Sequence, residues 1–461
     1  MEAQRKNREV HLRALCITLA IGAVIWFIPS PVDLQEKAWH LFAIFVATIV
    51  GFIIKPLPMG GVAILSITAV VLTGTLKLEE ALSGFQNTTI WLIVIAFFIS
   101  RGFIKTGLGN RIAYMFVKLF GRKTLGLSYS LLVSDLILSP AMPSNTARGG
   151  GIIFPIAHSL SRTFGSDPEN GTEKKVGSFL MQVAFQGVNI TSAMFMTAMA
   201  ANPLAATLAH NAGVTITWTD WALAAIVPGL ASLIVVPYFI YKVYPPEIKE
   251  TPAASEIATE KLKEMGPLKK SEWSMIMVFL LILALWIFGG KLGIDATTTA
   301  LIGLSVLLLT SVLTWNDVKK EEGAWDTLVW FASLVMMATF LNSLGMIPWF
   351  SHLMGTAVHG LPWIWALIAL ALIFFYSHYF FASNTAHVSA MYAAFLGVAI
   401  VAGAPPMLAA LLLGFIGNLF GCLTHYGSGP APVFFGSGYV PQDKWWLLGF
   451  SVSVIHLIIW G

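Results

Sequence analysis

Apolar residues in this chain neither alternate nor recur on one helical face; they run on. Continuous apolar stretches fill 12–28, 38–55, 60–76, 89–105, 179–209, 221–241, 273–289, 296–314, 327–347, 408–439 and 445–460. A helix needs about 20 apolar residues to cross the hydrocarbon of a bilayer, where its backbone must be satisfied internally. The pattern predicts an all-α polytopic membrane protein with about eleven crossings. Two further apolar stretches, 125–163 and 361–400, are each too long for one helix and carry a polar, breaker-rich centre. Each predicts a re-entrant hairpin that returns to the side it entered from.

Charge supports that choice. With both stretches drawn as hairpins, 22 of the Lys and Arg residues fall on the side of the N-terminus, beginning with Arg5, Lys6 and Arg8. Only Lys37, Lys77 and Lys291 fall on the other side, and Arg101 and Arg148 stay at membrane depth. Turning either hairpin into a crossing spoils the asymmetry. The positive-inside rule then sets the N-terminus in the cytoplasm and the C-terminus outside. The basic start and the run from Leu12 to Ile28 read as an uncleaved first span, within a segment 1–37. The charged segment 245–272 reads as a cytoplasmic linker between two halves, 38–244 and 273–461.

The halves resemble each other. Ser144-Asn145-Thr146-Ala147 returns 239 residues later as Ser383-Asn384-Thr385-Ala386, each copy at the centre of an interrupted run. Thr89 to Gly107 matches Thr327 to Gly345, and 198–202 falls where 427–431 falls after the second hairpin. Five crossings per copy is an odd number, so the second copy lies inverted and the two tips meet near the midplane. Inverted repeats with broken helices at the midplane are the architecture of secondary transporters.

Non-helical backbone at that depth is tolerated only where protein or a water-filled cavity satisfies it. The tips and the breaks near 198–202 and 427–431 therefore predict one polar cavity. Its expected lining is Ser144, Asn145, Thr146, Ser383, Asn384, Thr385, Ser428 and Gly429. Helix N-termini at Thr146 and Thr385 aim N–H groups into it, which suits carboxylates. Plain helix capping is the bland alternative for any Ser-Asn-Thr. Asp135 is the one carboxylate deep in an apolar run. It reads as an ion pair with Arg148, as hydrogen bonding within the hairpin, or as a proton-coupling group. Arg148 reads as a substrate or coupling charge or as a hairpin strut, and His387 occupies the matching position in the second copy. His378 and His425 read as packing residues. Arg101 reads as snorkelling. The segment 107–123 reads as an interfacial amphipathic arm.

Composition narrows the rest. The chain is 57% apolar and 11% charged, against about 25% charged in soluble domains. A cytosolic enzyme, a secreted disulfide scaffold and a disordered chain are excluded. The net charge of +4 follows topology and forms no nucleic-acid patch. Cys16 and Cys422 are the only cysteines, too few for a disulfide framework or a zinc site. No P-loop, HExxH, CxxC or G-x-S-x-G occurs, so neither an ATP-driven pump nor a membrane protease has residues to stand on.

The paired hairpins, the repeat and the stretches Pro143–Arg148 and Phe435–Val440 resemble the divalent anion/sodium symporter family of di- and tricarboxylate transporters. They look most like its citrate/succinate, tartrate/succinate and 2-oxoglutarate/malate antiporters. The resemblance implies that Asn145, Thr146, Asn384 and Thr385 hold the substrate carboxylates. It also implies a homodimer in the membrane lipid, an elevator motion and a bacterial inner membrane. In the sodium-coupled branch, hydroxyl residues precede both motifs; here those positions are Pro140 and Tyr379. Residual sodium sites would involve Ser144, Asn145, Ala198, Ala382, Asn384 and Gly427. The expectation is sodium-independent dicarboxylate exchange without a cofactor. A sodium-coupled symporter and, more remotely, an organic anion channel are the alternatives.

Overall fold

The computed structural model describes residues 10–357, 360 and 362–461. Arg5, Lys6, Arg8 and the start of the second hairpin at Leu361 lie outside the described residues. Among the described residues the secondary structure is helical throughout, apart from one isolated bridge between Lys123 and Glu250.

The first half comprises α1 (Leu12–Phe27), α2 (Glu36–Ile54), α3 (Met59–Leu72), α4 (Thr88–Thr106), the arm α5 (Leu108–Phe120), α6 (Thr124–Leu138), α7 (Phe154–Thr163), α8 (Gly177–Met194), α9 (Ala201–Asn211) and α10 (Trp218–Val243). After α11 (Pro252–Met265) come α12 (Lys270–Phe288), α13 (Ala296–Leu309), α14 (Glu322–Ser343), α15 (Met346–Ala357), α16 (Trp363–Tyr376), α17 (Asn384–Val401), α18 (Pro406–Leu419), α19 (Ala431–Gly436) and α20 (Gln442–Trp460). Eight helices among the described residues are long and apolar enough to cross a membrane. Three of these eight, Thr124–Ala141, Trp363–Phe380 and Asn384–Val401, are arms of the expected hairpins. Length and composition therefore do not separate a crossing from a hairpin arm; the breaks do.

Packing groups the helices into two bodies, which meet where α9 also lies against α4 and α14. On one side α4 packs against α13 and α14, α14 against α2 and α3, and α12 against α13. On the other, α8 packs against α6, α10 and α18, while α9 and α18 both pack against α17. Every residue of α8 is buried, the mark of a helix enclosed by others on all faces. That helix still carries Gln182, Gln186, Asn189, Thr191 and Ser192, so its polar groups must be satisfied inside the protein.

The segment 245–272 is tied to the arm. Thr124 N donates to Lys249 O (3.0 Å) and Thr251 N to Arg122 O (2.8 Å). Arg111 of α5 is buried; its Nε lies 2.6 Å from Glu272 Oε1 and its Nη1 donates to Gly266 O at 2.9 Å. The helix α11 packs along α5. Gly107, at φ +76°, lets the chain leave α4 and turn into that arm, a left-handed conformation that glycine adopts without strain.

Candidate functional site

Both hairpins are interrupted in the same way. α6 ends at Leu138, a 3₁₀ turn covers Ser139–Ala141, Met142 is extended, and helix resumes at Asn145. α16 ends at Tyr376, a 3₁₀ turn covers Ser377–Phe380, Phe381 is extended, and α17 begins at Asn384. Pro140 and Pro143 cannot donate backbone hydrogen bonds and so block continuation of the first arm. The serines cap the restarts: Ser144 Oγ accepts from Ala147 N at 3.1 Å, and Ser383 Oγ from Ala386 N at 3.4 Å. Capping, the bland reading, thus accounts for one function of each serine.

The two helices beyond the hairpins are broken as well. α8 stops at Met194, a 3₁₀ turn spans Met196–Ala198, and α9 follows. α18 gives way to a turn at Phe420–Cys422 before α19. Each break frees backbone carbonyls inside the membrane, and each freed carbonyl needs a donor. At the first break Asn202 Nδ2 donates to Ser192 O (2.8 Å) and Phe195 O (2.9 Å). Trp221 Nε1 serves Ala193 O (2.9 Å), and Thr197 Oγ1 donates to Pro140 O (2.5 Å).

Arg148 completes that break. Its side chain is fully buried. Nη1 donates to Met142 O and to Ala198 O, both at 2.6 Å. Nη2 reaches Ser192 Oγ at 3.0 Å, and Nε lies 3.0 Å from Asp135 Oδ1. Asp135 accepts in addition from Thr191 Oγ1. One guanidinium therefore joins the first tip, the first break and the buried carboxylate. An isolated charge at this depth is costly, and pairing with several hydrogen bonds is what makes it tolerable.

The second half uses different chemistry at the matching place. Gly427 O, freed by the second break, lies 2.7 Å from His378 Nε2. A carbonyl can only accept, so that nitrogen carries the hydrogen. His378 Nδ1 lies 3.0 Å from His387 Nδ1, and His387 Nε2 lies 3.2 Å from Ser377 Oγ. In a neutral pair His387 Nδ1 donates to His378, and Ser377 donates to His387. Both rings stack on Phe420, with centroids at 3.9 and 4.5 Å. His378, which the sequence suggested only as packing, is thus the partner that links His387 to the break. His425 stands apart, accepting from Trp446 Nε1 at 3.0 Å.

The tips converge on the segment 428–429. A Cβ added to Gly429 would collide with Thr146 Oγ1 and lie 3.6 Å from Asn145 Oδ1. One placed on Gly421 would lie 2.9 Å from Asn189 Oδ1, 3.0 Å from Asn384 Nδ2 and 3.1 Å from Ser428 Cβ. Ser428 and Gly429 are neighbours in the chain, so the first tip meets this segment at Gly429, and Ser428 and the second tip's Asn384 both border Gly421. Thr146, Gly429 and Ala382 are exposed, Ser144 and Ser383 half-buried, and Asn145, Asn384, Thr385 and Ser428 buried.

The donors are unequal. Asn145 Nδ2 has only the Met199 sulfur, at 3.6 Å. Asn384 Nδ2 is taken by Gly417 O (3.1 Å) and Asn418 O (3.2 Å), and its Oδ1 has no partner. In this arrangement Asn145 offers amide hydrogens to an anion, whereas Asn384 holds α18 and presents an acceptor. Asn189 Oδ1 and Ser428 Oγ are also buried without partners. Among the expected sodium ligands, Ala198 O is occupied by Arg148 and Gly427 O by His378. Among the described residues no group of three or more His, Cys, Asp or Glu is placed to hold a metal ion.

A separate cavity of about 830 Å³ opens between the two bodies, lined by Asn87, Thr88, Met196, His210, Thr217, Lys291 and Asp295 among others. None of the motif residues lines it.

The geometry has counterparts in known proteins. The chain shares its fold with the crystal structure of the Alcanivorax borkumensis YdaH transporter, at 13% identity and TM-score 0.56, covering 97% of this chain and 94% of that one. Over 456 residues it is 70% identical to the "Putative malate transporter YflS" of Bacillus subtilis (strain 168), covering 99% of this chain and 95% of that protein. It is 54% identical to the chloroplastic dicarboxylate transporter 1 of Spinacia oleracea, covering 97% of this chain and 79% of that protein. The family model described as the sodium:sulfate symporter transmembrane region matches residues 9–461. The chain therefore belongs to the sodium:sulfate symporter family, a family of membrane transporters and not of enzymes.

Proposed function

We propose that this protein exchanges dicarboxylates across a bacterial inner membrane without sodium, as a homodimer whose hairpins and broken helices move as an elevator. Dicarboxylates are the named substrates of the chloroplast relatives, and malate that of the Bacillus subtilis relative. Helix N-termini, the Asn145 amide and the exposed Thr146 hydroxyl supply uncharged donors for carboxylates.

One observation carries the exchange reading: the Arg148 guanidinium donates to Met142 O and Ala198 O. A sodium ion bound at the first break would draw on those same freed carbonyls. A sodium ion can leave with its substrate, and the emptied carrier then returns without it. A guanidinium cannot leave. The empty carrier keeps its positive helix ends facing a vacant site, which opposes its passage through the low-dielectric interior. A second dicarboxylate must fill the site for the return.

Sodium-coupled symport is the competing reading, and the family's name favours it. The test is counterflow in proteoliposomes. Labelled succinate is expected to enter only liposomes loaded with dicarboxylate, at the same rate in sodium and in choline. Uptake into empty liposomes driven by a sodium gradient would overturn the proposal.

A further inference from the structure

We infer that Asn202 and Asn418 are positioning residues, forming a buried amide bridge that fixes the spacing of the two tips so that both ends of a divalent substrate are gripped together. The inference rests on the carboxylate-exchange reading and concerns how that site discriminates.

The bridge is a continuous chain of hydrogen bonds. Arg148 Nη2 donates to Ser192 Oγ at 3.0 Å. The backbone oxygen of Ser192 accepts from Asn202 Nδ2 at 2.8 Å. Asn202 Oδ1 accepts from Asn418 Nδ2 at 2.6 Å. The backbone oxygen of Asn418 accepts from Asn384 Nδ2 at 3.2 Å. The chain begins three residues after Asn145 and ends on the second tip's asparagine. Ser192, Asn202, Asn418 and Asn384 are each no more than 2% exposed, so water does not compete with these bonds.

The bridge breaks the internal symmetry. Asn418 stands 229 residues after Asn189, the same offset that relates Ala198 to Gly427. Asn189 keeps its amide local, donating to Phe185 O at 3.1 Å. Its counterpart makes the same local bond, to Gly414 O at 3.2 Å, and also reaches across to the other repeat. The position matching Asn202 is Ala431, which has no amide. A further bond crosses nearby, from Gln186 Nε2 to Cys422 O at 3.4 Å, but it ends on neither tip's asparagine.

A dicarboxylate bound at one tip presents its second carboxylate to the other as an intramolecular partner. The gain from the second contact depends on the effective concentration that the fixed spacing provides. A monocarboxylate of similar size engages one tip and is indifferent to that spacing. Substrates are therefore ranked by the distance between their charges, and the bridge sets the distance that fits.

The test uses purified full-length protein in proteoliposomes, with Asn418→Leu, Asn202→Leu and the double variant. Each reads the half-saturation concentration for succinate and the inhibition constant of butyrate. We expect half-saturation for succinate to rise about tenfold in Asn418→Leu, the loss of the bridging hydrogen bond, and by more in Asn202→Leu, which also leaves Ser192 O and Phe195 O without a donor, while butyrate inhibition stays at the wild-type value. The double variant loses no more than the worse single one, because both remove the same bond. Where Asn418→Leu does not accumulate in the membrane, Asn418→Ser withdraws the reach to Asn202 with less disturbance and gives the same comparison. Equal losses for succinate and butyrate, or no loss for either, would overturn the bridge while leaving exchange standing. A wild type that takes up no dicarboxylate overturns the exchange reading and the bridge with it.

Discussion

Removing the Arg148 side chain is the sharpest perturbation of this site. Arg148→Ala leaves Asp135 buried at 1% exposure without its cation. It also strips Met142 O and Ala198 O of their donor. Breaking a buried pair by deleting one partner typically costs about 3–5 kcal/mol, because a charge stays behind uncompensated. The orphaned carbonyls push the expected loss towards the upper end of that range. Arg148→Ala/Asp135→Asn removes the stranded charge, and we expect it to recover about half of the loss, the carbonyls remaining unsatisfied.

What remains in Arg148→Ala is a set of oxygens facing one vacated volume: Asp135, Met142 O, Ala198 O and Ser192 Oγ. Hard monovalent cations prefer such ligands. A cation that binds the folded state alone stabilises it by RT ln(1 + [L]/Kd), about 2.7 kcal/mol at one hundred times Kd. Thermal unfolding in detergent is to be followed in sodium chloride and in choline chloride. The wild type should unfold at the same temperature in both salts, whereas Arg148→Ala should regain in sodium much of what it lost. Adding Asp135→Asn should abolish the sodium effect. An Arg148→Ala variant as stable as the wild type, or one whose loss is identical in both salts, would refute this role of Arg148.

Four further outcomes follow from the geometry. In a background lacking Cys16 and Cys422, Thr146→Cys and Gly429→Cys should form a disulfide readily, scored by gel shift. A Cβ on Gly429 lies 3.3 Å from Thr146 Cβ, near the roughly 3.5–4.5 Å that a disulfide needs; failure to cross-link under oxidant would separate the first tip from the second break. Asn145→Ala should weaken succinate binding at least tenfold with little change in thermal stability, whereas Asn384→Ala should lower stability, because its amide holds α18 and Asn145's holds only a thioether. Exchange of one divalent anion for another moves no net charge, so a potassium diffusion potential should not alter succinate–succinate exchange. Net entry of two charges would instead respond by about 4.6 kcal/mol per 100 mV. Finally, Lys105 Nζ sits 2.6 Å from Asp317 Oδ2 and holds that carboxyl well below its ordinary range. A depressed carboxylate stabilises the fold fully above about pH 4 and loses that contribution as pH falls through its folded value. Lys105→Met should therefore cost at most about 1 kcal/mol near neutral pH, the pair being partly exposed. That difference should fade in unfolding measurements carried below the carboxylate range.

The tips were legible in the sequence because a membrane enforces them. Ser, Asn and Thr grouped inside an apolar run, with proline beside the first copy, point to a broken helix at that depth, and two copies made coincidence untenable. The partners that complete the breaks were not legible. The Asn202 amide and His378 Nε2 donate to backbone carbonyls, and Asn418 Nδ2 donates to Gly414 O besides Asn202 Oδ1; a carbonyl has the same chemistry whatever residue bears it. Only the shared offset of Asn189 and Asn418 offered a signal, and it lay outside the aligned blocks. The segment 245–272 reads by its charges as a hydrophilic connection, yet it is tied to the arm through backbone pairs such as Thr251 N to Arg122 O. No side-chain pattern encodes such a contact. The acceptor face of Asn384 escaped for a related reason: its amide hydrogens are claimed by α18, which a motif considered alone does not reveal.

The two repeats meet one requirement by unequal means. Each second break frees a carbonyl beside a tip, Ala198 O in one half and Gly427 O in the other, and each needs a donor from within the protein. A guanidinium has five hydrogens in a rigid fork, so Arg148 alone spans tip, break and Asp135. A neutral imidazole has one hydrogen, so the second half needs two rings in series, His378 on Gly427 O and His387 behind it. The first half is therefore braced by a permanent charge, already balanced by Asp135, and the second by a neutral relay. Neither presents a net charge to the substrate. On the exchange reading, attraction falls to helix ends, hydroxyls and the Asn145 amide, each worth about 1 kcal/mol or somewhat more in partly buried geometries. Contacts of that size hold a dicarboxylate long enough to be carried and let it go on the other side. A bare arginine in the cavity would hold it far more tightly and slow release. On the exchange reading proposed above, the Asp135 carboxylate then keeps the Arg148 cation from becoming a trap.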